Sequence, residues 1–131
     1  MLYTKSIYVS KSLSDGLRVS VMSRHTLSDG ITPDLRITES SYDLWLKILA
    51  PLDKLVGDYY KRGLSFEEYA QRYLTYLSTK DISIEVDKLS RQALEQDITL
   101  LCVETSAEKC HRRILAEECL RYVPKLRITH R

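Results

Sequence analysis

The sequence predicts an α/β protein, a mainly parallel central sheet flanked by helices, within a single compact domain over residues 1–131. Three observations carry this expectation. Ile98 to Val103 is a short run that is apolar on both faces, as a strand covered on both sides of a sheet must be. Leu17 to Met22 alternates, with Leu17, Val19 and Val21 set against Arg18, Ser20 and Met22. Segments of helical period lie between and after these two strands, so the two kinds of element alternate along the chain.

Taken in order, Leu2 to Val9 is rich in β-branched and aromatic residues and reads as a first strand. Ser14-Asp15-Gly16 is turn chemistry and separates it from the strand at Leu17. Ser23 to Ser40 is a long polar loop, and loops of that length in small domains tend to serve function. Arg24 and His25 leave the second strand where it ends, either as solvated loop side chains or as groups facing a ligand.

From Ser41 the period changes. Tyr42, Trp45, Ile48, Leu49 and Leu52 follow helical spacing, with Pro51 breaking or restarting the helix. Leu55, Val56, Tyr59 and Tyr60 continue it until Arg62-Gly63. Ser65 and Glu68 form a capping box before Phe66, Tyr69, Ala70, Tyr73, Leu74 and Leu77, an amphipathic helix whose aromatic stripe is at core spacing. Asp81 to Glu95 fits a strand at its start and a helix throughout, and its helix-forming second half favours the helix. Pro124 ends the last helix, and Leu126 to Thr129 can form a final short strand.

Size and composition bound the function. A chain of 131 residues buries roughly two thirds of its unfolded surface and needs no disulfide or metal to hold a core. A net charge of +2 does not mark a nucleic-acid binder, although Lys125 to Arg131 carries three formal positive charges and no acid. The start lacks the continuous apolar region of a signal peptide, and no run is long enough to span a membrane, so a cytoplasmic protein is expected. Three cysteines, an odd number, then read as reduced thiols. Nine tyrosines against one phenylalanine suit packed rings whose hydroxyls find partners at helix margins.

The chemistry concentrates where the apolar run Asp97 to Val103 gives way to Glu104, a polar turn and a helix bearing Cys110, His111 and Arg112. Ligands of open α/β sheets bind outside the carboxyl ends of strands, and Arg24 and Glu104 both sit at such ends. Thr105 with Glu108 makes a capping box, which starts the helix near Ser106 and puts Cys110 and His111 in its second turn. Cys110, flanked by His111, Arg112 and Arg113, is either a thiol of lowered pKa or a packing residue. His111 is a general base or a helix-start hydrogen-bonding residue. Glu104 is a general acid/base or the ion-pair partner of Arg24 or Arg112. Cys102 and Cys119 read as small buried hydrophobes. No Cys-x-x-Cys, paired-histidine spacing, Walker loop or Gly-x-Gly-x-x-Gly is present, so no metal and no cofactor is expected.

Two segments resemble a known family. Leu100-Leu101-Cys102-x-Glu104 followed by Cys110-His111-Arg112, and Asp43-Leu44-Trp45-Leu46-Lys47-Ile48-Leu49-Ala50-Pro51, are similar to the domain-of-unknown-function 488 family, which includes the YeaO-like proteins. Arg24 falls where that family has an arginine after its early strand, and the likeness spans about residues 17 to 121. Where the family often has Arg-x-Trp-Pro-Arg-Gly, this chain has Arg24-His25-Thr26-Leu27-Ser28-Asp29-Gly30, so the missing Trp, Pro and second Arg carry nothing over. The resemblance implies a compact cytoplasmic α/β domain and supplies no activity.

The residues themselves point to a polar pocket that accepts a small anion. As an enzyme, the protein would use Glu104, Cys110 and His111 as catalytic groups, with Arg24 and Arg112 binding a nucleotide-like or phosphorylated substrate. As a binding module, it would use the pocket or its basic end for nucleic acid or a protein partner. In a purely structural role, Glu104, Arg24 and Arg112 would form a buried ion network.

Overall fold

The computed structural model describes residues 1–131. Five strands are formed by Leu2–Ser6 (β1), Leu17–Ser20 (β2), Leu44–Trp45 (β3), Ile98–Cys102 (β4) and Ile128–His130 (β5). They make one sheet in the order β3-β2-β4-β1-β5, and every pairing is parallel. Leu2 and Leu17 both register with Ile98, which places β4 at the centre. The helices are Asp53–Lys61 (α1), Phe66–Leu77 (α2), Lys80–Glu95 (α3) and His111–Cys119 (α4). The α/β class and the parallel sheet read from the sequence are those of the structure.

Strand order fixes which face each connection covers. From β3 to β4 to β5 the chain steps across the sheet in one direction, and from β1 to β2 to β3 in the other. Crossovers between parallel strands are right-handed, so the two sets of connections lie on opposite faces. On one face the helices pack Val86, Leu89, Ala93, Leu115 and Cys119 onto Leu2, Val19, Ile98 and Leu100 in a single apolar core. The other face carries Lys5, Arg18 and Thr99 and is covered by loop chain that includes a 3-10 turn at Leu13–Asp15. There Asp15 accepts from Lys5 and Arg18, and its carbonyl accepts from the Thr99 hydroxyl at 2.6 Å. Strand β4 leaves toward the helices, whereas its neighbours β1 and β2 leave toward the loops. A crevice therefore opens at their carboxyl ends, the place where open α/β sheets bind ligands.

Three local expectations are corrected. The helix read from Tyr42 to Leu52 is instead strand β3, a single turn at Lys47–Leu49 and an extended link into α1. The free edge of β2 takes this segment: Asp43 and Leu46 donate their N–H groups to the carbonyls of Arg18 and Ser20 at 2.8 and 2.9 Å. Trp45 then donates its indole N–H to the Met22 carbonyl at 2.7 Å. Helix α4 starts at His111 rather than near Ser106, because Cys110 is extended (φ −134°, ψ 143°) and serves as its N-cap. Strand β1 stops at Ser6, short of Val9. The Ser65 cap of α2 is present, its hydroxyl accepting from the Glu68 N–H at 3.2 Å, and residues 80–95 are helical with Ile82, Val86, Leu89 and Ala93 buried.

Candidate functional site

At the carboxyl ends of β1, β2 and β4 lies an open cavity of about 730 Å³. Cys102, Val103, Met22 and His111 contribute to its wall at the sheet, and Tyr8, Tyr60 and Tyr69 line its sides. Four cations, Arg24, Arg36, Lys61 and Arg62, line it against two carboxylates, Asp34 and Asp53, so its charge is net positive.

The chemistry at the sheet end follows from strand parity. Ile98, Leu100 and Cys102 are alternate residues of β4, so Cys102 points to the helix side, where the first turn of α4 begins. Its Sγ lies 3.6 Å from Nδ1 of His111. The other ring nitrogen, Nε2, is 2.7 Å from the carbonyl oxygen of Val21. A carbonyl only accepts, so Nε2 carries the hydrogen and Nδ1 is left facing the thiol. A thiol, an imidazole nitrogen and a carbonyl that fixes the ring are thus brought together, the components with which cysteine can be activated in nucleophilic catalysis.

Electrostatics favour the thiolate at Cys102. Burial raises its pKa, but the bond from the Cys110 thiol, the N–H groups of Glu104 and Val103 and the charge of Arg112 outweigh it and set the pKa below the ordinary thiol value. Cys110 goes the other way. Burial and its bond to Cys102 raise it well above that value, so of the two thiols Cys102 gives up its proton more readily.

The sequence-derived candidates fall in different places. His111 and Arg24 both line the cavity. Both thiols are buried, Cys102 2% and Cys110 1% exposed, but Cys102, read from sequence as packing, belongs to the cavity wall and Cys110 does not. Arg112 is wholly buried. Its Nη1 donates to the Glu104 main-chain oxygen at 2.6 Å and approaches Cys110 Sγ at 3.5 Å, while Nε and Nη2 have no partner. The Glu104 carboxylate accepts from the Tyr60 hydroxyl at 2.7 Å. Arg24 pairs with Asp53 at 3.5 Å and donates to the Gly30 carbonyl at 3.3 Å. The expected ion network of Glu104, Arg24 and Arg112 is therefore not formed. Arg113 turns away from the site toward Glu117, 3.8 Å from its Nε.

The 23–40 loop supplies Asp34 and Arg36, which no sequence motif marks. Asp34 is 3% exposed and accepts from Tyr8 at 2.6 Å and from Arg36 at 3.0 Å. Burial and the Asp34 bond push the Tyr8 phenol up to about 12. His25 is half-buried rather than solvated, stacked on Trp45 at 3.9 Å and 2.7 Å from the Ser20 hydroxyl. The basic carboxyl-terminal end is docked, with Arg131 over the Tyr3 ring and 3.3 Å from Asp15.

Cys102, Cys110 and His111 also have the composition of a three-ligand site for a thiophilic metal, their ligand atoms lying within 4.8 Å of one another. The Arg112 guanidinium beside Cys110 sets a positive charge against a dication there. The cysteine–histidine reading has no such conflict.

The model of a protein family described as the active DUF488-N3 subclade matches residues 2–122. No curated protein and no solved structure matches the chain. No helix is long and apolar enough to cross a membrane.

Proposed function

The chain belongs to the DUF488 family, and from that premise we propose that it is an enzyme acting on a small anionic substrate of the phosphorylated or nucleotide-like class. Cys102 is the nucleophile and His111 the general base. The single observation that carries this reading is the contact of Cys102 Sγ with His111 Nδ1, made while Nε2 is fixed on the Val21 carbonyl.

Each residue then has a role. His111 Nδ1 takes the Cys102 proton, and the thiolate attacks the substrate phosphorus. The S–P bond forms, the P–O bond to the leaving alkoxide breaks, and the imidazolium returns the proton to that oxygen. Water, deprotonated by His111, then displaces the cysteine and releases phosphate. Arg24, with Arg36 on the same wall, holds the anion. Cys110 and Arg112 are positioning residues that stabilise the Cys102 thiolate. Glu104 shapes the site through its bond to Tyr60, a residue of the cavity wall. A cytoplasmic setting is part of the same reading, since all three cysteines are free.

The test is turnover of a panel of nucleotides and phosphomonoesters by the wild type and by Cys102→Ser, Cys110→Ala and Arg24→Ala. Turnover should vanish in Cys102→Ser, fall in Cys110→Ala and show a raised KM in Arg24→Ala. A Cys102→Ser protein that turns over as fast as the wild type would remove Cys102 from the reaction.

A further inference from the structure

We propose that Cys110 is the resolving thiol of a peroxide-reactive pair: a hydroperoxide that oxidises Cys102 drives formation of a Cys102–Cys110 disulfide, a reversible modification that masks the nucleophile. This rests on the reading of Cys102 as a reactive thiolate and assigns a second reaction to the same centre.

Proximity is the first argument. The two Sγ atoms and His111 Nδ1 lie within 4.8 Å of one another, so a bond of about 2 Å needs only a short approach. Access is the second. Both thiols are buried, but Cys102 contributes to the cavity wall and Cys110 does not, so a small oxidant entering the cavity meets Cys102 first and leaves its neighbour as a thiol. Freedom to move is the third. Residues 103–109 lie outside the strands and helices, and Cys110 precedes the first turn of α4 in extended conformation. Its sulfur can therefore swing toward β4 without unwinding the helix. Cys119 cannot compete, being wholly buried on the last turn of α4 in the apolar core.

The steps balance. The Cys102 thiolate attacks a peroxide oxygen; an S–O bond forms, the O–O bond breaks, and the departing hydroxide or alkoxide takes a proton from the medium. Cys102 is now a sulfenic acid, oxidised by two electrons as the peroxide is reduced. Cys110 loses its proton with the Arg112 guanidinium beside it to stabilise the charge, and attacks the Cys102 sulfur. The S–S bond forms, S–O breaks, and the departing oxygen leaves as water. A dithiol reductant reverses the change by exchange.

The experiment treats the folded full chain with an equimolar amount of hydrogen peroxide, alkylates with iodoacetamide, digests without reductant and maps the peptides by mass spectrometry. The expected product is a Cys102–Cys110 cross-link with Cys119 still a thiol, and dithiothreitol should restore alkylation of Cys102. In Cys110→Ala, Cys102 should persist as a sulfenic acid trapped by dimedone and pass to sulfinic acid with more peroxide. A wild-type Cys102 that alkylates readily but goes to sulfinic acid while Cys110 stays free overturns the inference and leaves the nucleophile standing. A Cys102 inert to both peroxide and iodoacetamide overturns both readings. The wild-type map decides the matter even if Cys110→Ala folds poorly.

Discussion

Arg112 donates to the main-chain oxygen of Glu104, not to its carboxylate, and its wholly buried guanidinium has no acidic side chain in ion-pair contact. A buried charge without a counter-ion costs several kcal/mol, so something must balance it. A thiolate at Cys102 would do so, because the Arg112 charge lowers the Cys102 pKa. In Arg112→Met the buried charge is gone, and the thermal midpoint should hold or rise. The thiolate loses its cation, and the pH midpoint of Cys102 alkylation should move up by about one unit. A midpoint that does not move would show that Arg112 has no hold on the thiol.

Gly30 seats Arg24. Its φ of +73° belongs to the left-handed region, and a Cβ there would stand 2.5 Å from Arg24 Nη1. Gly30→Ala should cost about 1–2 kcal/mol of stability from the backbone alone. It should also displace the guanidinium and weaken binding of inorganic phosphate about tenfold, the scale of one charge-assisted hydrogen bond. Gly63→Ala is the control, since Gly63 has φ +75° with nothing within 4 Å of the added carbon. Calorimetric titration should show weaker phosphate binding only in the first variant. Equal affinity in both would place the anion elsewhere.

What was legible in the sequence, and what was not, divides by range. The parallel sheet followed from Ile98 to Val103, because burial on both faces leaves its mark on every residue of a strand. Helix α2 followed from its period and its Ser65 cap. Strand β3 was hidden because its hydrogen bonds go to Arg18 and Ser20, more than twenty residues away, while Tyr42 and Trp45 keep helical spacing. The start of α4 differs from the sequence reading because the Thr105 and Glu108 pattern matches a cap that the chain does not use; Ser106 accepts from the Glu108 N–H instead, in a tight turn before Cys110. Cys102 reads as core because its neighbours are apolar. Its parity with Ile98 and Leu100, and its place as the last residue of the central strand, were the available signals. The partners of Arg24 and Glu104 depend on where α1 docks, which no local pattern encodes.

His25 and Trp45 provide an intrinsic probe of the early loop. Trp45 is the one tryptophan in the chain, its ring centroid 3.9 Å from that of His25. Burial lowers the His25 pKa from its ordinary 6.5, because the charged ring is the form that loses water. Protonation at that stack should quench the indole, so fluorescence should fall with a midpoint below 6.5. The sign for stability follows: the native state favours neutral His25, so its contribution is present above the ordinary value and shrinks as pH falls below it. In His25→Gln the fluorescence should be flat across this range. A transition that survives the substitution would belong to another group.

Asp15 is the one carboxylate on the loop-covered face of the sheet that several cations share. It is wholly buried, 3.0 Å from Lys5 Nζ, 2.7 Å from Arg18 Nη1 and 3.3 Å from Arg131 Nη1. Burial alone would raise its pKa, but the Ser12 N–H and the bonds from Lys5 and Arg18 outweigh it and hold the carboxyl at about 2, against an ordinary 3.8. A lowered carboxyl pKa stabilises the native state at pH above the ordinary value, and the contribution disappears as pH falls from about 4 to about 2. Urea unfolding of the wild type should therefore lose stability through that window. Asp15→Asn should be about 3–5 kcal/mol less stable at neutral pH, because Lys5 and Arg18 are left buried without a counter-ion. It should also lose less than the wild type on acidification, having no carboxyl there to protonate. Parallel acid profiles for the two proteins would mean that the acid sensitivity of the fold arises at other carboxylates, whatever the cost of the substitution at neutral pH.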